Sequence, residues 1–189
     1  MRTLTRSALG ALALGAFALL TPLASTASAH AIIELKGVSA VAGTTSVMTL
    51  EIQHGCFPSE STHQVEAFVG KPWRAVKPQQ VEGWTSTVTK QASGGLHITW
   101  IKQGEPVPFT TPTFFPISVA WPAKPGTYGM SVMQLCTHGT TYYWNEKYSP
   151  ATATADSPPL TPRPEVLVVA KKDASSASSS SSQTTQHVH

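Results

Sequence analysis

From about residue 45 to residue 146 the chain consists of short segments in which apolar and polar residues alternate. In the clearest segment, residues 45–53, Met48, Leu50 and Ile52 fall on one face. A period of two is typical of a strand with one buried face. Further segments rich in Val, Ile, Thr and aromatic residues, each bounded by Gly or Pro, are 63–70, 83–90, 96–102, 114–121, 128–136 and 139–146. This pattern, without any sustained helical period, predicts an all-β sandwich or small barrel. We expect a single immunoglobulin-like β-sandwich of about seven or more short antiparallel strands.

The first 29 residues have a different pattern, typical of a secretory signal. Arg2 and Arg6 precede an apolar run over residues 8–20, and Ala27-Ser28-Ala29 is a small-residue cleavage motif. The run is shorter than the roughly 20 residues that a membrane-spanning helix needs. We therefore expect cleavage after Ala29, a periplasmic or secreted protein, and no transmembrane segment in the processed chain.

The carboxyl-terminal part is of mixed character. Residues 149–164 are rich in Pro and should be extended, and residues 165–170 have the composition of one last strand. Residues 173–189 are Ser-rich, end in His-Val-His and should be disordered, with a weak capacity for Cu²⁺ or Ni²⁺ at the end. The sequence thus divides into a signal (1–29), one domain (30–172) and a tail (173–189).

Charge and motifs exclude several classes of function. Two of the 13 basic residues lie in the signal, so the formal charge falls from +3 to +1 in the processed chain. No Lys/Arg cluster with interleaved aromatic residues is present, and we expect no nucleic-acid partner. Neither a GxSxG motif nor a general acid–base pair is evident, so we do not expect an enzyme.

The two cysteines, Cys56 and Cys136, follow from the same secretory context. An oxidising compartment favours a disulfide between them. Two thiolate ligands for a soft metal are the weaker alternative, because no CxxC spacing is present.

Cleavage after Ala29 would make His30 the first residue. An amino-terminal histidine carries two nitrogen donors, the free α-amine and imidazole Nδ1, which can close a chelate ring on one metal ion. Nitrogen donors suit Cu²⁺, which also has the highest affinity among the divalent first-row metals. Since any residue can follow a signal, position alone does not establish this role.

Four stretches resemble the YcnI-like family of secreted copper-binding domains. They are AHAIIEL at the processed start, IQHGCFPSES (52–61), KPWRAVKPQQVEGWTSTV (71–88) and QLCTHGTTYYWNE (134–146). Their order and both cysteines match the family pattern over roughly residues 30–150. The resemblance implies a Cu²⁺ site called a monohistidine brace.

Carried over by position, the resemblance assigns His30 as the nitrogen ligand and Trp144 as the tryptophan against the metal. The family glutamate is expected early in the second strand, where this chain has GTTSVM (43–48) instead. Glu34, Glu51 and Glu146 are the candidates to replace it. We choose Glu34 because alternate residues of a strand share a face, which would place it with His30 if that segment is extended.

These residues predict a protein of the cell envelope that buffers or transfers Cu²⁺, with a copper chaperone or copper transporter as its partner. One alternative is a copper-dependent polysaccharide oxygenase, in which His54, His97 or His138 would have to reach His30. Another is a metal-free adhesion or carbohydrate-binding module with a row of exposed aromatic residues. His54 and His138 are expected to be structural or exposed, and Trp73, Trp84, Trp100 and Trp121 to pack in the core.

Overall fold

The structure of the chain is a computed structural model that describes residues 31–147 and 161–171. The predicted signal, His30, the Ser-rich tail and its His-Val-His end lie outside the described residues, as do both predicted domain boundaries.

Strands make up most of the described chain. In chain order they are β1 (Ala31–Glu34), β2 (Ala40–Val41), β3 (Thr45–Ile52), β4 (Thr62–Val69), β5 (Ala75–Pro78), β6 (Trp84–Lys90), β7 (Leu96–Lys102), β8 (Thr113–Ala120), β9 (Gly126–Cys136), β10 (Thr141–Trp144) and β11 (Glu165–Val169). A single turn of 3-10 helix, Thr137–Gly139, joins β9 to β10. No helix in these described ranges is long and apolar enough to cross a membrane.

The strands form two sheets. The first has the order β1-β3-β8-β5, and the second has the order β2-β11-β9-β4-β7-β6. Strands β10 and β11 pair with different halves of the long strand β9, so the second sheet contains seven strands. Neighbouring strands are antiparallel apart from the parallel pair β2–β11 within the described residues. The predicted immunoglobulin-like sandwich is confirmed.

The core lies between the two sheets and follows the alternation in the sequence. Met48, Leu50 and Ile52 of β3 are at most 1% exposed, as their period predicted. The rings of Trp100 and Phe115, one from each sheet, have centroids 4.8 Å apart. All five tryptophans are buried, at positions 73, 84, 100, 121 and 144. The expected core role of the first four is therefore confirmed.

A disulfide closes one end of the sandwich. Cys56 follows β3 in the first sheet and Cys136 ends β9 in the second, and their Cα atoms are 6.0 Å apart. The loop around Cys56 is tight, because Cys56 N donates to Glu60 O (3.0 Å) and Glu60 N donates to Cys56 O (2.8 Å). A Cβ on Gly55 would overlap the carbonyl oxygen of Glu60, so this loop requires glycine there. The predicted disulfide is confirmed, and it links the two sheets.

Candidate metal centre

Strand β1 begins one residue after His30 and forms an edge of the first sheet. Its apolar, partly β-branched sequence Ala-Ile-Ile-Glu favours a strand. Ala31 pairs with Ile52, Ile32 with Glu51, and Glu34 with Thr49. Ala31 and Ile33 contact the core, so the alternate residues of β1 face outwards.

Glu34 and Glu51 are therefore neighbours on the outer face of this sheet, one on β1 and one on β3. Burial raises the pKa of Glu51 above its usual value, and the negative charge of Glu34 and a hydrogen bond with Glu34 raise it further. The ion pairs of the described residues are His97–Glu66 and Arg163–Glu165, so neither carboxylate has a cationic partner among them. Two adjacent carboxylates without a countercharge form a site that favours a cation.

The two carboxylates differ in their distance from His30 along the chain. Glu51 lies opposite Ile32, two residues from His30, whereas Glu34 is four residues away. The strand partner of Glu51 is therefore two residues closer to His30 along the chain than Glu34 is, which corresponds to roughly 7 Å of strand. Glu34 faces outwards, and its expected position on the same face as His30 stays a prediction because His30 lies outside the described residues. What the sequence did not indicate is that Glu51 would be its neighbour, since that depends on the register of β1 against β3.

Trp144 and Glu146 belong to the second sheet and the segment that follows it. Trp144 pairs with Val132 in the second sheet, is fully buried, and has its ring 5.7 Å from that of Tyr142. Glu146 is exposed, and its Oε2 accepts hydrogen bonds from Thr161 N (3.2 Å) and Thr161 Oγ1 (2.6 Å). The strand registers thus direct Glu34 to the outside of the first sheet and Trp144 into the core. Their roles as ligand and metal cover stay predictions.

In the segment of residues 43–48, where the family glutamate was expected, some side chains contact the core instead. Ser46, the fourth residue of that segment, accepts a hydrogen bond of 2.7 Å from Nε1 of the buried Trp121. A carboxylate donor in the described residues must therefore come from elsewhere, as the sequence suggested.

The other histidines have separate surroundings. His97 lies on the outer face of the second sheet, with Nε2 2.9 Å from Glu66 Oε2 and its ring stacked on Phe68 at 4.3 Å. His138 is exposed in the 3-10 turn. The ring of His54 packs 5.1 Å from that of Phe109, and its Nδ1 is 2.6 Å from Gly55 O. No group of three or more His, Cys, Asp or Glu residues able to hold a metal exists within residues 31–147 and 161–171. A nitrogen-rich site at β1 consequently depends on His30.

The exposed aromatic side chains do not form a row on one face. Phe57, Phe114 and Tyr143 are 71%, 45% and 48% exposed, and they lie on the loop after β3, on β8 and on β10. Since the tryptophans are buried, the described part of the chain offers no aromatic platform of the kind that the carbohydrate-binding alternative requires.

Fold and register together define an immunoglobulin-like β-sandwich in which two carboxylates are neighbours, Glu34 on the amino-terminal edge strand β1 and Glu51 on the adjoining strand β3. The chain belongs to the family described as a domain of unknown function, DUF1775, which matches residues 30–167. The YcnI-like proteins that its motifs resemble are part of this family. The family match begins at the histidine predicted to start the processed chain.

Solved structures support the fold. A protein from Nocardia farcinica, described as having an immunoglobulin-like fold, matches with a TM-score of 0.59 at 20% identity, covering 74% of this chain and 97% of its own. A cohesin module from a Clostridium perfringens family 33 glycoside hydrolase matches with a TM-score of 0.48 at 10% identity, over 76% of this chain and 98% of its own, too weakly to indicate anything about this chain. The comparison with curated proteins finds no match.

Proposed function

We propose that this protein binds Cu²⁺ in the cell envelope, the periplasm or the secreted fraction, and buffers it or passes it to a copper chaperone or transporter. The observation that carries the proposal is the carboxylate pair Glu34–Glu51, which lacks a countercharge among the described residues. Glu34 lies on β1, the strand that follows His30, and Glu51 lies on β3, the strand that pairs with β1. Membership of the family and the start of its match at residue 30 support the same assignment.

In this proposal His30 supplies two nitrogen donors and a glutamate supplies an oxygen donor. The α-amine has an ordinary pKa of about 7.7–8.0, so it loses its proton to a metal readily near neutral pH. We now favour Glu51 over Glu34 as the oxygen donor, because its strand partner is closer to His30 along β1. Bound Cu²⁺ would offset the repulsion that raises the pKa of Glu51.

The proposal involves binding and no catalysis. In the family pattern Trp144 lies against the metal, where it would occupy an open coordination position and disfavour O₂ chemistry. The oxygenase alternative needs His54, His97 or His138 beside His30. His97 is paired with Glu66 on the other sheet, the ring of His54 packs on Phe109, and His138 is exposed in the turn after β9. We therefore propose storage or transfer of the ion rather than oxygenation.

The test is an EPR spectrum of the processed protein, beginning with His30, mixed with an equimolar amount of Cu²⁺. The nitrogen hyperfine pattern should correspond to two donors from a single histidine residue. A matched variant with one Met before His30 has an amide in place of the amine and should bind Cu²⁺ far more weakly, with an unchanged tryptophan fluorescence spectrum. Equal affinity of the two proteins would contradict the proposal, and a pattern of three nitrogens would favour the oxygenase.

A further inference from the structure

A second candidate site lies on the outer face of the second sheet, where β4 ends and β9 begins. It is a cleft of about 400 Å³ with Phe68, Gly129 and Ser131 among its lining residues. Gln91, from the turn between β6 and β7, and Arg163, from the segment before β11, also line it. The lining includes no acidic residue and none of the residues proposed to bind copper.

Arg163 is held in place from three directions. Its backbone N donates to Glu146 O (2.8 Å), and its Nη2 donates to Glu165 Oε1 (2.7 Å). Its side chain also lies directly on β9, because a Cβ on Gly129 would be only 2.6 Å from Cζ and 2.8 Å from Cδ of Arg163. Glycine at position 129 thus makes room for the arginine. A fixed guanidinium loses little conformational entropy when it binds a ligand.

This guanidinium has donors that no described residue uses. Nε is buried without a partner, and Glu165 accepts only from Nη2, so Nη1 has no acceptor within the described residues. The side-chain amide of Gln91 also has an unused donor. Its Oε1 accepts a hydrogen bond from Ser93 Oγ (3.5 Å), while its Nε2 has no acceptor among the described residues. Of these donors only Nε is buried, whereas the Arg163 side chain as a whole is 35% exposed. Arg163 Nη1 and Gln91 Nε2 are therefore donors at the cleft that a ligand from solvent can reach.

We propose that this cleft binds a carboxylate attached to an apolar or aromatic body. The carboxylate would accept hydrogen bonds from Arg163 Nη1 and Gln91 Nε2, a charge-assisted arrangement for which a guanidinium is well suited. The body would lie against Phe68, Trp73 and Tyr128, which line the same cleft. A free aromatic acid and the carboxyl terminus of a peptide share this chemistry.

The experiment is an NMR titration of the ¹⁵N-labelled, metal-free processed protein with benzoate. Backbone amide signals of residues 68–71, 73, 91–95 and 127–131 should shift and saturate in the millimolar range. Benzamide has the same shape without the charge and should not bind. Arg163→Gln should weaken benzoate binding at least tenfold, and Arg163→Lys, which keeps the charge, should weaken it less. Lys77→Gln is the matched control, because it removes the same charge from an exposed position on β5 of the other sheet and should leave binding unchanged.

A second arm separates the two sources of carboxylate. The binding of a tripeptide ending in Phe is compared with that of its carboxyl-terminal amide and with that of benzoate. If the tripeptide with a free carboxylate binds most tightly, the site is assigned to chain termini. If benzoate binds most tightly, the site is assigned to small acids. If neither acid binds saturably, if benzamide binds as well as benzoate, or if folded Arg163→Gln and Arg163→Lys both bind like the parent protein, the proposal is wrong. Because the two sites share no residue, that result would leave the copper proposal unaffected.

Discussion

Replacing Glu51 with Gln should stabilise the metal-free protein at neutral pH and weaken its binding of Cu²⁺. Glu51 is partly buried beside Glu34, without a cationic partner among the described residues, and its pKa is raised above the usual 4.5. Glutamine has nearly the same shape and no charge. The substitution therefore removes both the cost of burying a charge and the repulsion by Glu34.

The magnitude is small, and its dependence on pH has a definite sign. Two like charges about 4 Å apart in water repel by about 1 kcal/mol. Since Glu51 is on the surface, solvent and salt reduce this value, and we expect a gain of about 0.5 kcal/mol in the free energy of unfolding. The folded protein binds the Glu51 proton more tightly than the unfolded chain does. The contribution of Glu51 to stability is therefore complete below pH 4.5 and is lost as the pH rises through its folded-state pKa.

Urea unfolding followed by tryptophan fluorescence, at about pH 7 and about pH 4, measures this difference. The increase in the free energy of unfolding caused by Glu51→Gln should be present at about pH 7 and absent at about pH 4. Glu82→Gln, at an exposed turn position, is the matched control and should change neither. If Glu51→Gln is destabilising at neutral pH, or has the same effect at both pH values, the electrostatic argument is refuted.

A Cu²⁺ competition titration of the same variants tests the choice of ligand. Glu51→Gln should lower the affinity for Cu²⁺ more than Glu34→Gln does, because Glu51 lies opposite the residue two positions from His30. A larger loss from Glu34→Gln would instead identify Glu34 as the oxygen donor, as the sequence alone predicted.

Two further predictions concern buried residues. Trp144→Ala should cost about 3–5 kcal/mol of stability, since the ring is fully buried. Trp144→Phe should keep the fold, lower the affinity for Cu²⁺ modestly and shift the d–d absorption band of the bound Cu²⁺. Trp100→Phe changes an equally buried residue and should leave that band unchanged. Similar spectra for both Phe variants would make Trp144 a packing residue only. Replacing Cys56 and Cys136 together with Ala should lower stability in urea by about 4 kcal/mol, because the bond closes a loop with a sequence separation of 80. A loss below about 1 kcal/mol would show that the chain-entropy model does not apply here.

Local pattern was sufficient to predict most strands and their buried faces. The alternation in residues 45–53 predicted β3 and the burial of Met48, Leu50 and Ile52. A period of two is a property of a few consecutive residues and needs no knowledge of the partner strand. The disulfide was also predictable, because the chain has only two cysteines and a secretory signal pattern. Strands β2 and β5, of two and four residues, were missed, since segments this short have no measurable period.

What the sequence by itself determined is therefore the all-β class, the faces of the longer strands and the candidate ligands. Only the tertiary structure decided that Glu51 lies beside Glu34, that Trp144 is in the core, and that Arg163 lies on Gly129. Each of these depends on which strands pair and in which register, and a shift of one residue would turn Glu51 to the other face of the sheet. Strand pairing is fixed by contacts between residues that are far apart in the chain. The free energy of these contacts cannot be derived from any short segment of the sequence.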